Sequence, residues 1–225
     1  MGYLSDAVTN QAQRQQAMNA AMKGRTPEQK QVIKYFYGAG GCLGGKLNDE
    51  QYESLVMSKI QGVDFKRKAL NKLGLDESQV TEVRPLEFRG YYFNPKKTYS
   101  KWSMSMRKWV SSAYQISWIF FSGEQVYIYQ YTYHMDEDTK QEKVEEYFYK
   151  DITNISASSD TEEFYVPDKV SCNGTATYAR KNVETSNVSF VVPGERFNCA
   201  MTTATEENEQ SVQAMRAKLR EKKSQ

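Results

Sequence analysis

Four tyrosines at every second position constrain this chain more than any other feature. They are Tyr127, Tyr129, Tyr131 and Tyr133. The first two alternate with the apolar residues Val126 and Ile128. Successive side chains of a β-strand point to opposite faces of a sheet, so the alternation predicts a strand over residues 125–134 with a tyrosine-lined face. Residues 143–149 alternate in the same way after an acidic segment at 135–140. The two runs are therefore expected to pair as an antiparallel hairpin.

The spacing of apolar residues changes at about residue 84, from helical spacing to alternation. The alternating residues predict a first strand over residues 86–93 and a long second strand over residues 109–121. Further strands are predicted at residues 152–158, 163–166, 188–192 and 196–201. Residues 167–187 are polar with only a weak period, so we expect a polar insertion there.

Helix-start signals precede the apolar segments of the amino-terminal part. Residues 4–23 are rich in Ala, Gln and Met, which are good helix formers, and they predict a first helix. Thr26 and Gln29 form a capping box that begins a second helix. Asn48 and Asp64 are the candidate N-caps of a third and a fourth helix.

The carboxyl end also predicts a helix. Thr203 and Glu206 form a capping box, and basic residues crowd the last turns. The apolar stripe of this helix consists of Val212, Met215 and Leu219. We therefore expect an α+β fold with two parts. These are a helical unit over residues 1–83, with a glycine-rich linker at 38–45, and a β-domain over residues 84–225 that ends in this helix.

Composition limits the classes of protein that fit. With 39% hydrophobic and 13% aromatic residues, the 225-residue chain has enough apolar side chains to fold. A net charge of +2 gives no global attraction to nucleic acid, so no DNA binding is expected. No apolar run approaches the roughly 20 residues that span a bilayer, and the start does not resemble an export signal, so we expect a cytoplasmic location. The three cysteines form no CxxC pair and there is one histidine, so no metal and no cofactor are expected.

Two segments resemble bacterial pleckstrin-homology-like (PH-like) and GRAM-type domains. They are FFSGEQVYI at residues 120–128 and YFYKDITNI at residues 147–155, where a "Y-x-D-I" turn leads from one strand to the next. The resemblance covers about residues 84–222. It implies an antiparallel β-barrel closed by the carboxyl-terminal helix, and a binding module. A shorter segment, GGKLNDEQY at residues 44–52, resembles the start of the bacterial SHOCT module and implies a SHOCT-like helical segment near residues 44–60.

One glycine-rich stretch offers a nucleotide-binding alternative. Gly40 and Gly45-Lys46 match the spacing GxxxxGK, in which backbone N–H groups wrap phosphates and the lysine neutralises them. Leu47 stands where a magnesium-binding Ser or Thr is required, and no apolar strand ending in aspartate follows. We interpret the stretch as a linker. A nucleotide-binding enzyme using Gly40 to Lys46 remains the least favoured alternative.

Positive charge is concentrated after the first predicted strand. Residues 84–108 contain seven basic side chains and one acid, Glu87, for a local net charge of +6. The candidate binding residues, in a loop at 94–108, are Lys96, Lys97, Lys101, Trp102, Arg107 and Lys108. The PH-like resemblance implies an anionic lipid headgroup site in this loop, and tryptophan suits a membrane interface. Ordinary solvated loop charges and single-stranded nucleic acid are the other interpretations.

These observations predict a non-enzymatic binding or adaptor protein that uses a PH-like domain to contact another protein. The first helix has a thin apolar face and needs a partner, so homo-oligomers through the amino-terminal helices are one possibility. The alternative is peripheral binding to an anionic membrane through the basic loop at 94–108. No catalytic residue is predicted, because the single histidine, His134, has no nucleophile or carboxylate partner that the sequence identifies.

Overall fold

The computed structural model of the protein describes residues 11–38, 47–170, 176–202 and 206–224. The helices are α1 Gln11–Ala21, α2 Pro27–Phe36, α3 Asp49–Ile60, α4 Phe65–Leu73 and α5 Glu206–Lys223. The strands are β1 Val83–Tyr92, β2 Ser100–Ser103, β3 Lys108–Ser111, β4 Ala113–Phe121, β5 Gln125–His134, β6 Lys140–Phe148, β7 Asn154–Val170, β8 Ala176–Val192 and β9 Glu195–Met201. The predicted linker beyond Gly38, the nucleotide-binding alternative at 40–46 and the cap at Thr203 lie outside the described residues.

Helices α2, α3 and α4 begin at the predicted caps. The Thr26 side chain accepts a hydrogen bond from the N–H of Gln29, whose own side chain accepts one from the N–H of Thr26. Asn48 and Gln51 form the same reciprocal pair at the start of α3. Asp64 accepts a hydrogen bond from the backbone of α4. Each side chain satisfies an N–H group that the helix leaves without a partner, which explains why the helices start there.

The tyrosine strand lies inside a four-stranded antiparallel sheet with the order β1-β4-β5-β6. In this sheet Tyr129 on β5 lies opposite Trp118 on β4 and Val144 on β6. The tyrosines of β5 face one hydrophobic cluster, whereas Val126 and Ile128 belong to another on the opposite face. The predicted strand, its two faces and its pairing with the following run are confirmed.

The four amino-terminal helices cover the tyrosine-lined face. Their buried residues join the same cluster as the β-sheet residues Tyr91, Ile116 and Phe120. The hydroxyl of Tyr52 on α3 donates a hydrogen bond to the carbonyl of Ser111. Helices and sheet therefore share one hydrophobic core.

The opposite face carries a second sheet and the carboxyl-terminal helix. This three-stranded sheet has the order β7-β8-β9. The predicted stripe of α5, Val212, Met215 and Leu219, is buried in the cluster that contains Ile128 and Phe190. The guanidinium of Arg216 donates a hydrogen bond to the carbonyl of Ile155, 2.6 Å away, which ties α5 to β7.

The predicted polar insertion at residues 167–187 is wrong. Residues 154–170 and 176–192 form two 17-residue strands, β7 and β8, which pair from Asn154 opposite Val191 to Val170 opposite Ala176, with one register shift between Pro167 and Lys169. The two short strands predicted at 152–158 and 163–166 are therefore parts of one strand. Among the described residues of the outer half of this hairpin, only Phe164, Val166 and Val183 are buried and apolar. Because both faces carry mostly polar side chains there, the alternation that predicts a half-buried strand is weak.

The predicted long second strand at residues 109–121 is also wrong as a single strand. It is split into β3 and β4 at Ser112, whose N–H donates to the carbonyl of Tyr99 and whose carbonyl accepts from the N–H of Met135. Before the split, β3 pairs with β2, with Trp102 opposite Trp109. The segment predicted as a loop at 94–108 therefore contains a strand and forms most of a small hairpin.

The fold is α+β with antiparallel sheets, as predicted. In the described ranges the strands lie in three sheets, and no closed barrel is found among them. None of the helices in those ranges combines the length and the apolar character needed to cross a membrane.

Candidate functional site

The six basic and aromatic residues singled out in the sequence lie on or beside the β2–β3 hairpin. Lys96 and Lys97 are exposed in the turn after β1, and Lys101 and Trp102 lie on β2. Arg107, exposed in the connection between β2 and β3, has a positive φ of 49°. Lys108 begins β3. A non-glycine residue in the left-handed region is uncommon, which fits the tight turn at the hairpin tip.

Two of these cations are paired with carboxylates of α3. The ammonium of Lys101 lies 3.4 Å from Oδ1 of Asp49 and 3.8 Å from the centre of the Tyr35 ring. The ammonium of Lys108 lies 3.2 Å from Oε1 of Glu53. These lysines hold the hairpin on the helices, so their charge contributes less to an external surface.

Asp49 organises this contact. Its carboxylate accepts hydrogen bonds from the hydroxyls of Ser103 and Tyr35, each 2.8 Å away, and from the N–H of Ser105 at 3.3 Å. Burial alone would raise the pKa of Asp49, but these donors and the charge of Lys101 hold it below its usual value. The anionic carboxylate therefore fixes the end of β2 and the start of the β2–β3 connection to α3.

The hairpin tip remains exposed. Met104 is 76% exposed and Trp102 is 40% exposed, and the Trp102 ring meets the edge of Trp109 at 5.5 Å between ring centres. Within the described part of the chain Lys96, Lys97 and Arg107 form no ion pair. Arg107 thus lies at the hairpin tip with Met104, whereas Lys96 and Lys97 lie in the turn that leads to the base of the hairpin. All three cations are without a described counter-charge.

The β5–β6 turn, which follows His134, is held by side chains of the amino-terminal part. The guanidinium of Arg25 donates to Glu137 at 2.9 Å, and the amide of Gln29 donates to Asp138 at 2.8 Å. His134 is buried, burial lowers its pKa, and neither ring nitrogen has a hydrogen-bond partner. Within the described ranges no three His, Cys, Asp or Glu residues lie close enough together to hold a metal ion.

A polar cleft between the two large sheets was not expected from the sequence. It measures about 380 Å³. Its floor, on the face of the first sheet, includes Gln115, Gln130, Thr132, Gln141 and Lys143, and its wall, on the second sheet, includes Asp160, Glu162, Thr185, Asn187, Arg196 and Asn198. A volume of this size lies within the range of small-molecule sites.

Strand β9 packs on the face of the first sheet and forms one side of the cleft. The amide of Gln130 donates to the carbonyl of Asn198 at 2.7 Å, and Oε1 of Gln115 accepts from the N–H of Ala200 at 2.8 Å. At Gly90 an added Cβ would lie 2.7 Å from the carbonyl carbon of Met201, which shows how closely β9 approaches β1. On one side of this contact the face of the first sheet is buried in the apolar core, and on the other side the same face lines the cleft.

One sequence signal matches this division. On the inward face of β5, Val126 and Ile128 are followed by Gln130 and Thr132, and β4 changes in the same way toward Gln115. A face that turns from apolar to polar halfway along two paired strands marks the boundary of the core.

Comparison of the chain with protein-family models, with curated proteins and with solved structures finds no match.

Proposed function

We propose that the chain is a non-enzymatic binding protein that contacts a protein partner through the tip of the β2–β3 hairpin. The observation that carries this proposal is the exposure of Trp102 and Met104 on a hairpin held by Asp49 and Glu53. Tryptophan, arginine and methionine are enriched at protein interfaces, and Trp and Arg supply much of their binding energy. A rigid hairpin also loses little conformational freedom on binding.

The proposal includes a PH-like arrangement for residues 84–222. Its support is the order of elements, in which four antiparallel strands are followed by a three-stranded antiparallel sheet and then by a helix packed against both sheets. In that arrangement the β2–β3 hairpin is an enlargement of the first connection between strands. PH-like domains are mostly binding modules, although a fold does not by itself define a function. The proposal also places the protein in the cytoplasm.

Site-specific photo-crosslinking tests the protein-partner proposal. A photoreactive phenylalanine analogue at position 102 is expected to crosslink one distinct protein in an extract of the source cells, and Met104→Ser with Arg107→Ser should remove that product. Val63, equally exposed at 40%, serves as the matched control position. The same products from both positions, or none from position 102, would contradict the proposal. Light scattering of the purified chain shows in parallel whether it forms homo-oligomers.

A second candidate function is attachment to an anionic membrane, and the uncompensated charges of Lys96, Lys97 and Arg107 favour it. Each cation near an anionic bilayer contributes about 1 kcal/mol, so three give weak binding that falls with salt. Vesicle flotation with anionic and neutral lipids tests this. Lys96→Glu with Lys97→Glu should abolish binding to anionic vesicles, whereas Lys30→Glu with Lys34→Glu, an equal charge change on α2, should not. Equal binding to both lipids would exclude this candidate.

A further inference from the structure

The polar cleft has hydrogen-bonding groups that the fold leaves unused. Gln130 is only 6% exposed, and its amide nitrogen donates to Gln115, Ser117 and the backbone of β9. Its Oε1 accepts no hydrogen bond from any described residue. In the described chain, the polar side-chain atoms that are fully buried and have no hydrogen-bond partner do not include Oε1 of Gln130. Because this oxygen has no partner, it must be accessible, and the Gln130 side chain lines the cleft. A buried amide with an open acceptor indicates that something other than protein completes its hydrogen bonding.

An open donor and a second open acceptor accompany this oxygen. The Thr132 hydroxyl accepts a hydrogen bond from Gln115 at 3.2 Å, and its own proton has no acceptor among the described residues. On the wall, Asn187 uses its amide N–H group toward Asp160, at 3.4 Å, while its carbonyl oxygen accepts no described bond. The cleft therefore presents a mixture of donors and acceptors within one polar surface.

The cleft carries charges of both signs. Asp160 and Glu162 on β7 carry two negative charges and form no ion pair with any described residue, and Lys143 and Arg196 carry two positive charges. Lys143 is already engaged with Glu145 and Glu195 at its rim. An ammonium ligand would satisfy only the acceptors and an anion only the donors, whereas a hydroxyl group both donates and accepts.

The aromatic ring of Phe93 gives the cleft an apolar part. Phe93 packs against a small apolar cluster of Phe164, Val166 and Val183. The ligand would therefore meet an apolar surface at Phe93 and polar groups along the floor and wall. A sugar ring offers this combination of C–H faces and hydroxyl edges.

We propose that the polar cleft binds a neutral polyhydroxylated ligand, a mono- or disaccharide, which hydrogen-bonds Gln130 and Thr132 on the floor and Asp160 and Glu162 on the wall. This site lies on other elements than the hairpin tip, so it is independent of the protein-partner proposal. A site that uses its polar groups in this way discriminates strongly against ligands that lack the hydroxyls.

Saturation-transfer NMR and calorimetry of the full chain test the site with four probes: maltose, cellobiose, triglycine and spermidine. At least one disaccharide is expected to bind saturably, and triglycine and spermidine are not. Asp160→Asn with Glu162→Gln keeps the shapes but removes both carboxylates, and should weaken binding about tenfold or more, since hydrogen bonds to charged groups are stronger than those to neutral groups. These positions avoid Gln115 and Gln130, whose replacement would also disturb the seat of β9.

Glu163→Gln is the matched control, because Glu163 follows Glu162 on β7, is exposed like Glu162, and pairs with Arg180, which does not line the cleft. It should leave the affinity unchanged. Far-ultraviolet circular dichroism and the thermal midpoint confirm that all variants fold. No saturable binding of either sugar, equal affinity in the double variant, or binding of spermidine or triglycine in place of the sugars would overturn the proposal.

Discussion

Asp136 is a residue that folding buries although burial disfavours its negative charge. It lies in the β5–β6 turn, is only 2% exposed, and its Oδ1 has no hydrogen-bond partner. Burial raises the pKa of Asp136 to about 6, and neither a hydrogen bond from its own backbone nor the charge of Arg25 restores the usual value. Near neutral pH the folded chain therefore holds a buried carboxylate without full compensation.

Asp136→Asn should stabilise the protein in a pH-dependent way. In the unfolded chain this group has a pKa of about 3.9, so between about pH 4 and 6 the folded chain binds more protons than the unfolded chain. The free energy of unfolding of the native protein should fall across that window as pH rises, and stay lower above it. Asparagine remains neutral, so the variant should gain about 2–3 kcal/mol at pH 8 and almost nothing at pH 4.

Urea denaturation at both pH values measures this effect. Asp151→Asn, which removes an exposed carboxylate in another turn, is the control and should change stability little at either pH. An equal gain for Asp136→Asn at pH 4 and pH 8 would show that the substitution acts through something other than its charge.

Among the elements, the contact between β1 and β9 depends on one glycine. At Gly90 a Cβ would lie 2.7–2.9 Å from three backbone atoms of Met201 and Thr202, none of which can move without moving the strand. The N–H of Thr202 also donates to the carbonyl of Arg89 at 2.6 Å, so the two strands are joined where they approach most closely. This approach sets the position of β9, and with it the boundary between the apolar core and the polar cleft.

Gly90→Ala should destabilise the protein by about 1–3 kcal/mol, the usual effect of overpacking, and should raise amide exchange along β9. Gly123→Ala is the control, because a Cβ at Gly123 would meet nothing within 4 Å. Chemical denaturation and hydrogen exchange provide the measurements. If both variants lose the same stability, the β1–β9 contact would not be the cause.

Elements with one buried face could be predicted from the sequence, and those without one could not. Strand β5 and the stripe of α5 follow their periods because each packs one side on a core. The outer halves of β7 and β8 carry mostly polar side chains, so they show no apolar alternation. They pair because they continue the hairpin that their inner halves form, not because one face is buried. The hairpin tip was recognisable as basic, but the neutralisation of Lys101 and Lys108 was not, since Asp49 and Glu53 lie 52 and 55 residues earlier in the chain.

At the scale of the whole molecule, the first sheet is covered on both faces. The helices cover the face that contains Tyr91, Tyr114 and Tyr129, and the second sheet with α5 covers the apolar part of the other. Polar contacts cross the first of these interfaces as well. The hydroxyl of Tyr91 donates to Glu53 on α3, and the ammonium of Lys68 on α4 pairs with Glu142 on β6.

This double cover predicts the behaviour of a shortened chain that begins at Pro85. Removing the helices would expose Tyr91, Ile116, Phe120, Tyr129 and Tyr131, which are all buried in the full chain. Burial of each such side chain contributes about 1.5–3 kcal/mol, so five together approach the 5–15 kcal/mol that stabilises a typical domain. The shortened chain should bind a hydrophobic dye and aggregate, and the full chain should unfold in a single transition, with circular dichroism and tryptophan fluorescence coincident. A chain that begins at Gly24 is the matched control, because it keeps Arg25 and the Thr26 cap of α2, and α1 contributes only Met18 to the buried core. It should stay folded. A monomeric protein from Pro85 with dispersed NMR signals would show instead that the β-strands and α5 form a core that is sufficient without the helices.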